Sequence, residues 1–312
     1  MKLLITTQAV DARDSDLGFF VRWIEEFAKQ CEKVTVICLR EGEHSLPSNV
    51  AILTLGNASR LSRTMSLWRI CISRRHEYDA VFVHMNPEYL IAAGLLWRLM
   101  HKRIALWYTH KSVNLKLRIA VLFAHTVFTA SAESFRLRSK KVRVMGHGID
   151  TDFFSPPTLA VGAPTSGGVG ADPSITRGTW ALSVGRLMPS KRHDLAIRRA
   201  RGKGIELHIV GEGPERQNLE ALAREPGESV TFLGGLSHER VRDEYRRAAY
   251  LLHTSETGSL DKVVLEALAC GLPIRTNDPA LKHLESASPE YVREHHSLSA
   301  LVPRIIQALQ TV

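Results

Sequence analysis

Along the first 145 residues, short unbroken apolar runs alternate with longer segments whose apolar residues recur every three or four positions. The runs predict strands at 2–7, 33–39, 50–55, 78–84, 103–108, 126–130 and 142–145. The periodic segments predict helices at 19–30, 61–74, 87–100 and 115–124, with a short one at 134–139. In the first helix Phe20, Trp23, Ile24 and Phe27 make one face. Strands that are apolar throughout, rather than at alternate positions, belong to parallel sheets covered on both faces. Residues 156–178 break the rhythm: they are rich in proline and glycine and lack aromatic residues, which predicts a flexible linker. At Trp180 the alternation restarts. Strands are expected at 180–185, 206–210, 230–233, 250–253 and 274–276. Helices are expected at 193–201, 214–224, 239–248 and 261–270, with terminal helices at 289–295 and 298–311. The chain therefore reads as α/β, with two doubly wound domains at 1–155 and 179–312. Ligands of such sheets sit at the carboxyl ends of the strands, and two such domains imply a cleft between them.

The 312 residues suffice for two domains of ordinary size, and 44% hydrophobic content describes a soluble globular protein. Cys31, Cys38, Cys71 and Cys270 lie scattered in apolar surroundings, without a C-x-x-C pair. They read as buried thiols of a reducing cytoplasm rather than a disulfide frame or zinc site. A bilayer span needs about 20 apolar residues. The longest runs, 89–100 and 119–130, are shorter and are interrupted by Arg98 and His125. Met1–Ile5 opens like a signal peptide, but Asp11, Arg13, Asp14 and Asp16 follow, so it reads as a first buried strand.

The formal net charge of +9 calls for an anionic partner, such as a phosphorylated small molecule or an anionic membrane face. Basic runs lie at 111–118, 136–143 and 198–203. No aromatic residues interleave with them and no recognition module is visible, which disfavours nucleic acid.

Candidate chemistry concentrates in the second half. Residues 254–274 run from a strand end through a small polar loop into a helix that Gly271 and Pro273 stop. Gly258 or Ser259 can cap this helix, and Asp261 suits its first turn. Helix-start N–H groups lack partners and the helix dipole favours an anion there, so the loop suits a diphosphate. A second basic signal is Val184-Gly185-Arg186-Leu187-Met188-Pro189-Ser190-Lys191, which sets two cations in the turn after a strand. Such cations can hold a diphosphate and stabilise it as it leaves. Val210-Gly211-Glu212-Gly213-Pro214 is a further glycine-rich turn, but G-x-G-x-x-G is absent, which disfavours a nicotinamide dehydrogenase. His84 and His110 end strands of the first domain, where a histidine can bind a hydroxyl or shuttle a proton.

Gly-Arg-Leu-x-Pro-x-Lys, Val-Gly-Glu-Gly-Pro, Val-Thr-Phe-Leu-Gly and Leu-Glu-Ala-Leu-Ala-Cys-Gly-Leu-Pro-Ile, in that order, resemble the donor-binding half of retaining glycosyltransferases of the GT-B fold, which has two Rossmann-like domains. Residues 146–154 resemble the segment where the first domain of that family hands over to the second. The resemblance implies transfer of a sugar from a nucleotide-sugar to a glycan or lipid-linked acceptor, with retention. It implies that Arg186 and Lys191 bind the donor diphosphate and that backbone N–H groups around Leu260 and Lys262, with Gly258, meet the distal phosphate. Glu266 would bond the ribose, and the base would lie near Gly211 and Leu236. Gly18 would be the glycine-loop residue, and His110 and His84 the acceptor-side histidines. No cofactor or metal is implied, because basic side chains and the helix dipole stand in for the metal.

The sequence departs from the family at one point. A second glutamate is expected eight positions before Glu266, where Gly258 stands; Glu256 and Asp261 are the nearby replacements. The rival reading is therefore a nucleotide-sugar-binding protein without turnover. A cytoplasmic enzyme is expected, peripheral at the inner membrane face. The family often adds a last helix that crosses back onto the first domain, and the sequence reads as lacking it.

Overall fold

The computed structural model describes residues 1–14, 16–157, 177–201, 203–224, 229–255, 258 and 260–311. Most of the expected linker and Glu256 and Ser259 lie outside the described residues. In chain order the first elements are β1 (Lys2–Thr6), β2 (Ala9–Val10), α1 (Phe19–Gln30), β3 (Lys33–Cys38), β4 (Arg40–Glu41), β5 (Val50–Thr54) and α2 (Arg60–Ser73). Then come β6 (Ala80–His84), α3 (Pro87–Leu99), β7 (Arg103–Trp107), α4 (Leu115–Phe123), β8 (Thr126–Thr129) and β9 (Val142–Val144). The second half holds β10 (Ala181–Val184), α5 (His193–Ala200), β11 (Leu207–Val210), α6 (Arg216–Ala223), β12 (Val230–Gly234), α7 (His238–Arg247) and β13 (Tyr250–His253). It ends with α8 (Lys262–Ala269), β14 (Ile274–Thr276), α9 (Pro289–His296) and α10 (Leu298–Gln310).

The chain divides into two units, 1–148 with 297–312, and 149–296. The first unit is built on a parallel sheet in the order β5-β3-β1-β6-β7-β8-β9. Its middle strands are apolar because both faces are covered: every residue of β6 is buried. One face packs on α1 and α10, through Phe20, Trp23, Ile24 and Phe27 against Leu301, Val302 and Ile305. The other packs on α2, α3 and α4, through Leu67, Cys71, Leu90, Trp97, Leu117 and Ala120. The second unit is a five-stranded parallel sheet, β12-β11-β10-β13-β14.

Three expectations change. The helix at 298–311 forms, but as α10 it belongs to the first unit, not to a domain 179–312. The family's last helix is thus present rather than lacking. The boundary lies at 148/149, inside the Gly-His-Gly-Ile segment, rather than at 155. The expected helix at 134–139 is only a three-residue 3₁₀ turn, Ala132–Ser134. Ser139 instead turns its hydroxyl onto the Lys141 N–H, the kind of local bond that competes with a helix.

Candidate functional site

In the second sheet, β11 and β12 lie on one side of β10 and β13 and β14 on the other. The crevice between the carboxyl ends of β10 and β13 is the topological switch point, where an open α/β sheet takes its ligand. Two stretches reach it, 185–191 after β10 and, after β13, the described residues 254, 255, 258, 260 and 261.

The first loop lies on the second glycine-rich turn, backbone against backbone. The Leu187 N–H donates to the Glu212 carbonyl at 2.9 Å, and the Glu215 N–H to the Leu187 carbonyl at 3.0 Å. Gly211 has φ +143, and a Cβ there would stand 2.0 Å from the Gly185 carbonyl oxygen. This close approach explains the glycine without a nucleoside. Loop 185–191 then folds the Lys191 stem back beside Gly185, where a Cβ would lie 3.7 Å from the lysine Cγ and Cδ. Thr254 ties the second loop to the first by donating to the Lys191 carbonyl at 3.1 Å.

At the crevice the Lys191 Nζ donates to Asp261 Oδ2 at 2.7 Å. The same oxygen lies 3.0 Å from His253 Nε2, and His253 Nδ1 lies 2.9 Å from Thr276 Oγ1. Thr276 Oγ1 in turn accepts from the Asp278 N–H at 3.1 Å. An ionised carboxylate only accepts, so Nε2 carries the proton toward Asp261. Burial by itself would raise the Asp261 pKa. The His253 N–H and the Lys191 ammonium outweigh it and hold the carboxyl well below the usual carboxylate range.

Asp261 is not a first-turn residue, as expected, but the N-cap of α8. Its carboxylate does not cap, because Lys191 and His253 occupy it, and no side-chain bond among the described residues closes the start of the helix. The start of α8 lies beside Lys191, and the dipole of the helix adds positive potential there. Gly258, at φ +61, already donates its N–H to Asp278 Oδ2 at 2.5 Å. The expected phosphate contact at Gly258 would therefore have to displace Asp278.

Glu266, one helical turn into α8, is buried; it accepts from the Tyr245 hydroxyl at 3.4 Å and lies 3.8 Å from Lys262 Nζ. Burial lowers the Lys262 pKa to about 8, with Glu266 pulling the other way. Leu236 and Leu260 are half-buried against the same core cluster, and Arg186 is exposed in the turn after Gly185. His193 sits buried beneath that turn, bonded through Nδ1 to the Ser183 hydroxyl at 2.9 Å.

The acceptor-side expectations fall in the first unit. Gly18 opens α1, where a Cβ would meet the Asp14 carbonyl oxygen at 2.6 Å, so the loop itself demands glycine. His84 is buried, stacked on Phe20 at 3.8 Å between ring centres, with Nδ1 3.3 Å from the Thr7 hydroxyl; packing accounts for it. His110 is exposed past the end of β7, edge-on to Tyr108. Among the described residues, no group of three or more His, Cys, Asp or Glu could hold a metal ion. Sequence reasoning missed His253, Thr276 and Asp278. The signal for His253 was present, since it ends a strand as His84 does.

Residues 174–310 match the family described as glycosyl transferases group 1. Over that stretch the chain is similar to the glycosyl transferases group 1. The D-inositol 3-phosphate glycosyltransferase of Mycobacteroides abscessus is 34% identical over 143 residues, 43% of this chain and 31% of that protein. The sulfoquinovosyl transferase SQD2 of Arabidopsis thaliana is 24% identical over 192 residues, 60% of the chain and 35% of that protein. The chain thus spans about a third of the length of the curated relatives it matches. Among solved structures, Anabaena HepE in complex with UDP-glucose has a TM-score of 0.72 at 14% identity, covering 100% of both chains. Sucrose-phosphate synthase from Thermosynechococcus elongatus has a TM-score of 0.70 at 14% identity, covering 100% of this chain and 99% of that one. These likenesses establish the fold class of this chain as GT-B, with two Rossmann-like units. The Lys191–Asp261–α8 crevice lies within the matched stretch.

Proposed function

We propose that this chain transfers a sugar from a nucleotide-sugar to a glycan or lipid-linked acceptor, with retention and without a metal. The observation that carries the reading is the meeting of Lys191 with Asp261 at the N-terminus of α8, at the switch point of the second sheet. Lys191 and the first N–H groups of α8 receive the diphosphate, and Arg186 adds charge from the neighbouring turn. Asp261 holds Lys191 in place from one side and stands where a donor sugar beyond the distal phosphate would be met. Glu266 receives the ribose. The bond from the anomeric carbon to the diphosphate breaks, the acceptor hydroxyl bonds to that carbon from the face the diphosphate departs, and the leaving diphosphate takes the hydroxyl proton. His110, exposed at a strand end of the first unit, serves the acceptor. The enzyme works in the cytoplasm, peripheral at the membrane face.

HepE, which shares the fold, was solved with UDP-glucose, so uridine donors come first in the test. Incubation with a panel of nucleotide-sugars should release nucleoside diphosphate slowly without acceptor and faster with one. Lys191→Ala and Glu266→Ala should each weaken uridine diphosphate binding about tenfold or more, from the loss of a charged hydrogen bond worth about 1.5–3 kcal/mol. Unchanged affinity in both would remove this donor site. Gly258, where the family expects a glutamate, favours one second reading: binding without turnover. Tight donor binding with no diphosphate release would select it.

A further inference from the structure

The outer face of α2, α3 and α4 carries nine of the eleven exposed large apolar side chains found among the described residues. On α2, Leu61, Met65, Trp68 and Ile72 are spaced four, three and four, one exposed stripe about a third of a turn round the helix from the buried Leu67 and Cys71. Leu95 and Leu99 extend it on α3, and Leu115 and Leu122 on α4; Leu99 and Leu115 are 69% and 71% exposed. The helices are locked side by side. Trp68 Nε1 donates to the Ala92 carbonyl at 2.6 Å, and Lys116 pairs with Glu88 at 2.8 Å. Between α2 and α3 opens a cavity of about 630 Å³, where Trp68 and Ile91 meet Arg60, Arg63 and Lys116.

Charge selects the occupant. Residues 60–123 hold eleven Lys and Arg against three Asp and Glu, so they carry eight of the chain's nine net positive charges. Arg60, Arg69, Arg75, Arg98 and Arg118 are exposed among the apolar stripes. A second copy of the same face would be repelled by its own sign. Nucleic acid has no use for exposed aliphatic stripes. A layer of exposed aliphatic side chains and a tryptophan, with exposed arginines on the same segments, matches the boundary of an anionic bilayer.

We propose that the outer face of α2, α3 and α4 seats the first unit on an anionic lipid surface, with Leu61, Met65, Trp68, Ile72 and Leu95 entering the headgroup boundary. This deepens the lipid-linked acceptor in the proposed function and rests on that reading for its purpose, though the contact itself needs no donor.

The full chain is sedimented with vesicles of phosphatidylcholine, and with vesicles of equal parts phosphatidylcholine and phosphatidylglycerol. Binding should appear only with the anionic vesicles and weaken as salt is raised. Leu61→Glu with Met65→Glu should cut it at least about tenfold, since apolar burial is removed and like charge added. Leu95→Glu with Leu99→Glu repeats the test on α3. Melting temperature, and its rise with uridine diphosphate, are read on every sample, so failure of the lipid surface and failure of the donor site are told apart. Absence of binding to anionic vesicles, or binding indifferent to both double variants in folded protein, overturns the proposal. Dimers in sedimentation velocity that the same variants dissolve also overturn it, in favour of a second copy.

Discussion

Lys191 and Asp261 stand 70 positions apart and meet at 2.7 Å, and each looks different once paired. Alone in sequence, the lysine is a basic residue in a turn and the aspartate a helix-start acid. Together, with His253, they form a held carboxylate at the N-terminus of α8. Because the Asp261 pKa is lower folded than unfolded, the unfolded chain binds more protons in acid. The stability it supplies is therefore present above about pH 4 and is lost as pH falls further. Asp261→Asn should lower the unfolding free energy at pH 7 by on the order of 2 kcal/mol, with the gap closing below about pH 4, as urea titrations would show. A gap that stays constant with pH would mean the carboxylate is not held as described. The cysteines make a second residue-scale case. All four are buried, and burial raises the thiols of Cys31 and Cys71 to about 11 and of Cys270 to about 12. Alkylating reagents should label none of them in folded protein at pH 8 and all four in denaturant, as mass spectrometry would count.

At the scale of the element, α10 shows what a periodic pattern says and what it leaves unsaid. Leu298, Leu301, Val302, Ile305, Ile306 and Leu309 announce a helix with one buried face. They do not say which sheet buries it, and neighbourhood along the chain suggests the wrong one. Ile305→Ala should cost about 2–4 kcal/mol and open hydrogen exchange in α1 rather than in β10–β14. Equal loss of protection in the second sheet would contradict the placement of α10. The turn after β11 is the opposite case. Gly211 was legible as a glycine-rich turn, but its reason, a carbonyl from the turn after β10 pressed against it, is tertiary. Gly211→Ala should destabilise the second unit by more than about 2 kcal/mol, read by thermal melting, and weaken uridine diphosphate binding by shifting Lys191.

For the whole molecule, two buried histidines set a pH response distinct from that of Asp261. Burial lowers His193 and His296 to about 4. Their folded pKa values lie below the unfolded value of about 6.5, so the unfolded state takes up protons first. The stability they carry is present above about pH 6.5 and lost as pH falls toward 4. Unfolding free energy should decline over that window by on the order of 2 kcal/mol per histidine, and His193→Gln should remove part of the slope. A flat profile between pH 6.5 and 4 would contradict the buried neutral rings.

By itself the sequence determined the periods of the chain, and hence its strands, helices, parallel sheets and two-unit α/β class, because hydrophobic spacing is local and repeats. It also determined the donor-half motifs, because each is a short run of residues whose backbone demands are local. Only the tertiary structure decided that α10 joins the first unit, that His253 and Lys191 share one carboxylate, and that Asp278 already holds the Gly258 amide. It alone turned scattered leucines and arginines of α2, α3 and α4 into one surface. Those outcomes depend on which strand lies beside which, and strand order follows from packing between residues far apart in the chain.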